Sequence, residues 1–474
     1  QNPIPSELKA LLSDYGENGL RYHASLPWCR VKHAVIHEQG YLLNGLATWY
    51  TAEREPRVKE TTERLIDGLL ATAAHVGKSY TYELVETGKK SYYFPCDCIT
   101  PDGWDFTMLT GRGKEHIFNG VMILPLVRYY EASGYEPALD LAEGLINHIL
   151  GQSEFGHDGR FIGHFHATMW VVAGILRYGL VTDNLQFVEL GRKVYDWARD
   201  QGSSFGWFPE WVGTTPAEEM DAETCCLADM VELAHMLAES CDDSYWDDVE
   251  RFARNHLVES QLQDLPHDKH ETQKADTPQT TYRDVGGRAI GGFAGSSWPN
   301  DFVTHRRRFI AGCCGATGAR ALFLAWDGIV QKRDDTVWVN MPLNRRTPWL
   351  DLFSHHPQEG KLRLLIHDAP KLRVRMPDWA GGRVSVCVDG NPRLTQWRGN
   401  YLELNGLARG QQVVVVYPMR KEVSAELVAG RNYAVSWQGN TVMRITPPGR
   451  NVPLYLRLKA DRDAARRAVS PTMI

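Results

Sequence analysis

Two cysteines stand side by side in the run Gly312-Cys313-Cys314-Gly315-Ala316-Thr317-Gly318-Ala319-Arg320. Adjacent cysteines rarely bond to each other, because a disulfide across one peptide bond is strained, but two neighbouring thiolates can grip one soft metal ion. Far upstream, Glu223-Thr224-Cys225-Cys226 offers a carboxylate and a thiolate at close spacing. Glu223, Cys225, Cys313 and Cys314 together are the four ligands zinc accepts in tetrahedral geometry, with Cys226 competing with Cys225 for its place. Spacing alone leaves three states open: a closed structural zinc, a catalytic zinc thiolate, or free thiols without metal.

Acids and imidazoles come next. Glu210 lies between Trp207 and Trp211 in Gly202-Ser203-Ser204-Phe205-Gly206-Trp207-Phe208-Pro209-Glu210-Trp211. An apolar cage of this kind would disfavour the carboxylate and suit a general acid working near neutral pH. An exposed loop carboxylate is the plainer alternative. Glu218 and Glu219 stand in an acidic run and read as solvated, though they are fallback acids. His164 and His166 open an amphipathic helix, where an i, i+2 pair cannot share a helical face. One of them is expected to face a cleft and hydrogen-bond a sugar hydroxyl. His116, with Trp104 and Asp105, is a weaker case of the same kind. Trp207 is a candidate sugar platform, since aromatic faces stack on the apolar side of a sugar ring; core filling is the competing use of any one tryptophan.

The elements that must hold these residues follow from periodicity. Apolar residues recur at i, i+3, i+4 in 41–50, 62–70, 116–134, 137–151, 164–178, 186–200, 223–240 and 245–262, which predicts helices. Gly134 and Gly179 read as helix stops, and Pro137 as a start. Helices of this length and number predict an (α/α)6 barrel over 1–332. The polar stretch 264–281 and the glycine-dense 286–295 break the rhythm, and an irregular segment just before the cysteine pair is expected to be functional. From about 333 the period becomes two. Segments 336–340, 361–366, 371–376, 383–388 and 412–417 alternate like strands, with Asp389-Gly390 as a turn. The fold class is therefore mostly α with β, a helical barrel followed by a C-terminal β-sandwich over 333–474. Cys387, inside one strand, is expected to be a buried core thiol.

Composition sets the outer bounds. A chain of 474 residues with 43% hydrophobic and 23% charged residues can build two or three domains around a large core. A net charge of −6 gives no electrostatic case for nucleic acid or an anionic membrane. No apolar run is long enough to span a bilayer. The nine cysteines are an odd number at no framework spacing, which argues for thiols used singly or on metal. The sequence opens at Gln1 rather than methionine, so the true start is expected upstream and any signal peptide out of view. Localisation stays open between cytoplasm and a periplasmic or secreted compartment. The expected partner is a carbohydrate, with a homodimer left open.

Several of these pieces coincide in one known family. Ala222-Glu223-Thr224-Cys225 resembles the Ala-Glu-Thr-Cys zinc motif of glycoside hydrolase family 127, the retaining β-L-arabinofuranosidases, and Cys313-Cys314 resembles its Cys-Cys pair. Gly163-His164 and Gly202-Ser203-Ser204 are similar to family segments before a helix and before the acid/base glutamate. Val374-Arg375-Met376-Pro377-Asp378-Trp379-Ala380, Tyr417-Pro418-Met419 and Thr441-Val442 are similar to pieces of its sandwich. The resemblance implies Cys313 as a zinc-bound nucleophile, with Glu223, Cys225 and Cys314 as the other ligands. It implies Glu210 as acid/base and His164 as a ligand of the sugar. The chain departs from the family where Gly315-Ala316-Thr317 replaces Pro-Pro-Asn, and where Glu210 stands closer to Glu223 than the family's acid does to its zinc glutamate. Two other readings stay open: a carboxylate-pair glycan hydrolase or lyase with a structural zinc, and a non-catalytic, zinc-stabilised sugar-binding protein.

Overall fold

The computed structural model describes residues 11–13, 15–23, 32–76, 90–105, 114–152, 158–263, 275–277, 280–304 and 310–457. These residues group into two compact units, one of 1–198 with 211–214 and one of 199–210 with 215–474. Each unit is described by itself.

The first unit is helical. Its helices are α1 (Ile36–Glu53), α2 (Pro56–Thr72), α3 (Lys114–Phe118), α4 (Ile123–Ser133), α5 (Glu136–Gln152) and α6 (Phe165–Val181), with α7 (Leu185–Arg199) closing it. Pro56 opens α2 at a position where its missing N–H costs nothing. Gly134 ends α4 with φ of 70°, which glycine adopts without strain. Gly179 ends nothing: it lies inside α6, where a Cβ would stand 3.0 Å from Asn184 O and from the Phe187 side chain. The single helix expected over 116–134 is two helices, because residues 119–122 form turns around Asn119-Gly120. α1 packs on α4, and α4 on α5 and α6. α6 is buried almost all round, whereas α2 and α7 each bury one face. A helix apolar on every side belongs in an interior, and one with a single apolar stripe covers it.

The second unit holds both helices and sheets. Its helices include α8 (Thr224–Ser240), α9 (Trp246–Phe252) and α10 (Gly312–Gly328). The expected helix 245–262 is interrupted after α9 by a π turn at Ala253–Leu257. Strands of this unit begin at Val330, three residues before the point near 333 where the periodicity of two was expected to set in. One sheet has six strands in the order Arg345–Arg346, Leu350–Ser354, Lys361–Ile366, Gln412–Val416, Ser385–Val388, Asn391–Pro392. A second has five, in the order Gln396–Arg398, Tyr401–Asn405, Lys371–Arg375, Thr336–Val339, Val330–Arg333. Alternate residues of each are buried: Leu362, Leu364, Val413 and Val415 in the first, Val337, Val339, Leu372 and Val374 in the second. A three-stranded meander, Lys421–Val428, Arg431–Gln438 and Thr441–Thr446, follows. Asp389 and Gly390, with φ of 51° and 79°, make the expected tight turn. Cys387 is half-buried rather than core, because the register points Val386 and Val388 inward and leaves the thiol on the other face.

Helices and sheets of this unit are tied by buried polar contacts. Arg375, 2% exposed, pairs with Asp247 of α9 at 2.7 Å. Asn440 donates to Glu250 at 2.8 Å, and Asn255 to the Asn440 carbonyl at 2.8 Å. The change from helix to strand near 330 therefore falls inside a compact unit and does not divide one from the next.

Candidate metal and carboxylate site

The N-termini of α8 and α10 are held side by side by one irregular strap. Thr224, the first residue of α8, donates its hydroxyl to Ala294 O at 2.9 Å. Ala311, which precedes α10, donates its N–H to Phe293 O at 3.4 Å. Ala222 and Ser297 exchange backbone hydrogen bonds of 2.9 Å. This strap overlaps the end of the glycine-dense segment 286–295, which thereby has a structural task. Gly295 permits it, since a Cβ there would lie 2.9 Å from that of Ala311.

The strap brings three thiols together. Among the described residues, the Sγ atoms of Cys225, Cys313 and Cys314 all lie within 4.8 Å of one another, and the cysteines are thiols rather than disulfides. Cys225 to Cys314 is 3.5 Å and Cys313 to Cys314 is 3.9 Å. A disulfide would need about 2.0 Å. Sulfurs about 2.3 Å from a tetrahedral zinc stand about 3.8 Å apart, so the observed spacings suit the edges of such a site. Cys225 and Cys314 are wholly buried and Cys313 is exposed. Cys226 points elsewhere and is buried, with burial pushing its thiol well up.

The electrostatics also ask for a cation. Hydrogen bonds with the Cys313 and Cys314 thiols, then burial and the Glu223 charge, push Cys225 well above the usual thiol range. The Cys225 hydrogen bond pulls Cys314 down, but Cys313 and burial outweigh it and push the thiol up to about 12. Crowded thiols hold their protons for want of a positive charge. A divalent ion reverses that preference, and the converging helix N-termini favour thiolate in the same sense. The donor set therefore fits a soft divalent metal such as zinc.

Glu223 stands at the N-cap position of α8 without a side-chain capping bond and is 8% exposed, but its carboxylate is not among the atoms gathered with the three sulfurs. It lies instead within 4.8 Å of the carboxylate of Glu210. Glu210 is 7% exposed, and its N–H donates to Asp221 O at 2.7 Å. Asp221 is held in turn by Ser296 and by Thr304, the latter at 3.3 Å. The purely apolar cage expected around Glu210 is corrected, since a second buried acid adjoins it. Trp207 is corrected too. It is fully buried with its indole N–H on Ser297 O at 3.0 Å, so neither ring face is open to a sugar. Glu219 is exposed, and the side chain of Glu218 lies outside the described residues.

The candidate histidines belong to the first unit. His164 is the N-cap of α6, and its Nδ1 accepts the Ala167 N–H at 3.2 Å. That leaves the proton of the neutral ring on Nε2, as a donor. The ring meets Trp211 edge-on at 4.9 Å and His166 at 6.1 Å. Gly163 and His164 pair antiparallel with Trp211 and Val212. Thr168 donates to His164 O at 2.9 Å, so His116 Nδ1, 3.2 Å away, is the donor to Thr168 Oγ1. Burial lowers His116 to about 4 and keeps it neutral.

Some site residues escaped the sequence reading. Arg320 of α10 pairs with Asp229 at 2.9 Å and Glu232 at 3.1 Å, both buried on α8. Thr317 reaches Cys225 Sγ at 3.3 Å. The signal was present: Asp229 and Glu232 follow Cys225 at i+4 and i+7, and Thr317 and Arg320 follow Cys313 in the same way, so each set shares a helical face.

No family model matches the chain, and no curated protein does. Solved structures do. A GH127 β-L-arabinofuranosidase from Geobacillus stearothermophilus T6 is 15% identical with a TM-score of 0.56, over 85% of this chain and 66% of that one. A glycoside hydrolase is 17% identical with a TM-score of 0.60, over 92% and 72%. A GH127 β-arabinofuranosidase is 15% identical with a TM-score of 0.62, over 90% and 69%. The chain thus has the GH127 fold or one closely related to it, and spans about two thirds of the length of these proteins.

Proposed function

We propose that the protein is a retaining glycoside hydrolase acting on a terminal furanoside of the β-L-arabinofuranoside kind, on a helical toroid of the (α/α)6 type. The observation that carries the reading is the thiol group itself, two buried sulfurs beside an exposed one, on a fold shared with arabinofuranosidases. Cys225, Cys313 and Cys314 would hold a zinc ion, with Glu223 as the fourth ligand taken from the sequence resemblance. Bound zinc would supply the charge that keeps the thiols ionised near neutral pH.

Cys313, the accessible sulfur, is the nucleophile. Its Sγ forms a bond to the anomeric carbon as the glycosidic C–O bond breaks, and Glu210 gives its proton to the departing oxygen. Glu210, now a carboxylate, takes a proton from water. The water oxygen then replaces sulfur at the anomeric carbon and Cys313 leaves as thiolate. Two inversions give net retention. The sequence resemblance assigns His164 to the sugar, and the Nε2–H left by its Nδ1 hydrogen bond is the donor it would offer a hydroxyl; His116 and His166 are further sugar-binding candidates from the residue pattern.

A second reading has one observation in its favour. Two buried acids, Glu210 and Glu223, have carboxylate oxygens within 4.8 Å of each other, and a carboxylate pair is what such a hydrolase needs, with the thiol-bound metal then structural. Cys313→Ser and Glu223→Gln, assayed on aryl furanosides, separate the two. In the first reading Cys313→Ser abolishes turnover. A Cys313→Ser protein that keeps most of its activity transfers the nucleophile's role to Glu223. Glu210→Gln is expected to be inactive in both, and a fully active Glu210→Gln would remove that acid from either mechanism.

A further inference from the structure

Thr317 stands where the resembling family has asparagine, one helical turn after Cys313. Its hydroxyl has two acceptors within reach: Cys313 O on its own helix at 3.0 Å, and Cys225 Sγ on the facing helix at 3.3 Å. A threonine that donates to the carbonyl one turn back is an ordinary helical feature. A contact from that same hydroxyl to a buried sulfur on another helix is not. The hydroxyl thus stands between its own helix and the facing one, and a metal-bound thiolate there would be the stronger acceptor of the two, because charge-assisted hydrogen bonds are roughly twice as strong as neutral ones.

From this arrangement we infer that Thr317 is a positioning residue for the metal centre, donating to Cys225 Sγ and holding that thiolate as a fixed ligand. The inference rests on the metal reading above and deepens it. A hydrogen bond to sulfur withdraws charge from it. Cys225 is thereby made the poorer nucleophile and the steadier anchor, while the exposed Cys313 keeps the reactive role. The bond also crosses from α10 to α8, so it fixes the separation of the two helices at the level where the ligands sit. The same face of α10 carries Arg320 one turn further on, paired with Asp229 and Glu232. Thr317 is thus the ligand-level member of a two-rung tie between the helices.

The test uses the full chain, with cobalt as a spectroscopic substitute for zinc. Thr317→Val removes the hydroxyl at nearly constant volume, and Thr317→Ser restores it. Thr317→Val is expected to lose about 10–100-fold in metal affinity by chelator competition, as outer-partner losses do. Its thiolate-to-cobalt absorption bands should shift, and Thr317→Ser should return both readouts to wild type. Unchanged affinity and unchanged bands in Thr317→Val would overturn the role of Thr317 while leaving the metal centre standing. A loss that Thr317→Ser fails to rescue would overturn it too, since packing rather than the hydroxyl would then be responsible. Wild-type protein that takes up neither cobalt nor zinc would overturn the metal reading and this inference with it.

Discussion

Cys313 and Cys314 share a peptide bond, yet one is exposed and the other wholly buried. Successive helical residues point about 100° apart, so the two neighbours at the start of α10 meet α8 at different depths, although both sulfurs lie within 4.8 Å of Cys225 Sγ. Cys314 is enclosed beside Cys225, and Cys313 is left exposed at the rim. His116 illustrates a second residue-scale consequence of burial. Its folded pKa of about 4 lies below the ordinary value of 6.5, so the unfolded chain binds the proton more readily. Stability from this group is complete above about pH 6.5 and is lost as pH falls through 4, on the order of 3 kcal/mol in all. Chemical denaturation across this range should show a steeper acid loss in wild type than in His116→Asn. Parallel curves for the two proteins would show that His116 is not the titrating group.

At the scale of elements, α8 and α10 act as one piece. Their N-termini are tied by the strap at 293–297, their thiol-bearing faces by Thr317, and their middles by Arg320 between Asp229 and Glu232. Both acids are almost fully buried, so removing the guanidinium strands them without that cation. Arg320→Met is expected to cost about 3–5 kcal/mol in denaturant unfolding. A cost below about 1 kcal/mol would mean that the helices hold their register without it. Gly318 matters for the same packing, because a Cβ there would meet the Phe293 ring at 2.6 Å. The helix and strand spans were largely legible in the sequence: 361–366 is the strand Lys361–Ile366, and 223–240 is α8 to within one residue. Breaks inside helices were less so. Gly179 read as a stop because glycine is a poor helix former, but close packing against Asn184 and Phe187 demands it mid-helix.

For the whole molecule, the described residues form two compact units whose division falls near residues 199 and 215. No helix among them is long and apolar enough to cross a membrane. If the thiols of the second unit hold zinc, that unit's stability is linked to the metal. Removing it with a chelator should lower the melting temperature and re-adding zinc should restore it. Site occupancy a thousandfold above Kd is worth about 4 kcal/mol. Cys314→Ser, which deletes a buried ligand, should melt at one temperature with or without zinc. A wild-type melting temperature indifferent to chelator would argue against a resident metal.

Residue types and short spacings were enough to nominate the thiols and the acids, and to place Cys225 near the start of a helix, because those are local properties. Which of Cys225 and Cys226 joins the pair was decided only when α8 docked against α10 and one face of it was committed. The same is true of Trp207, whose flanking position beside Glu210 suggested a sugar platform until long-range packing enclosed it. Glu223 came to lie beside Glu210, a proximity between loop and helix end that spacing does not encode. Local periodicity sets the direction of a side chain on its own element; the facing element, brought from elsewhere in the chain, sets what that side chain meets.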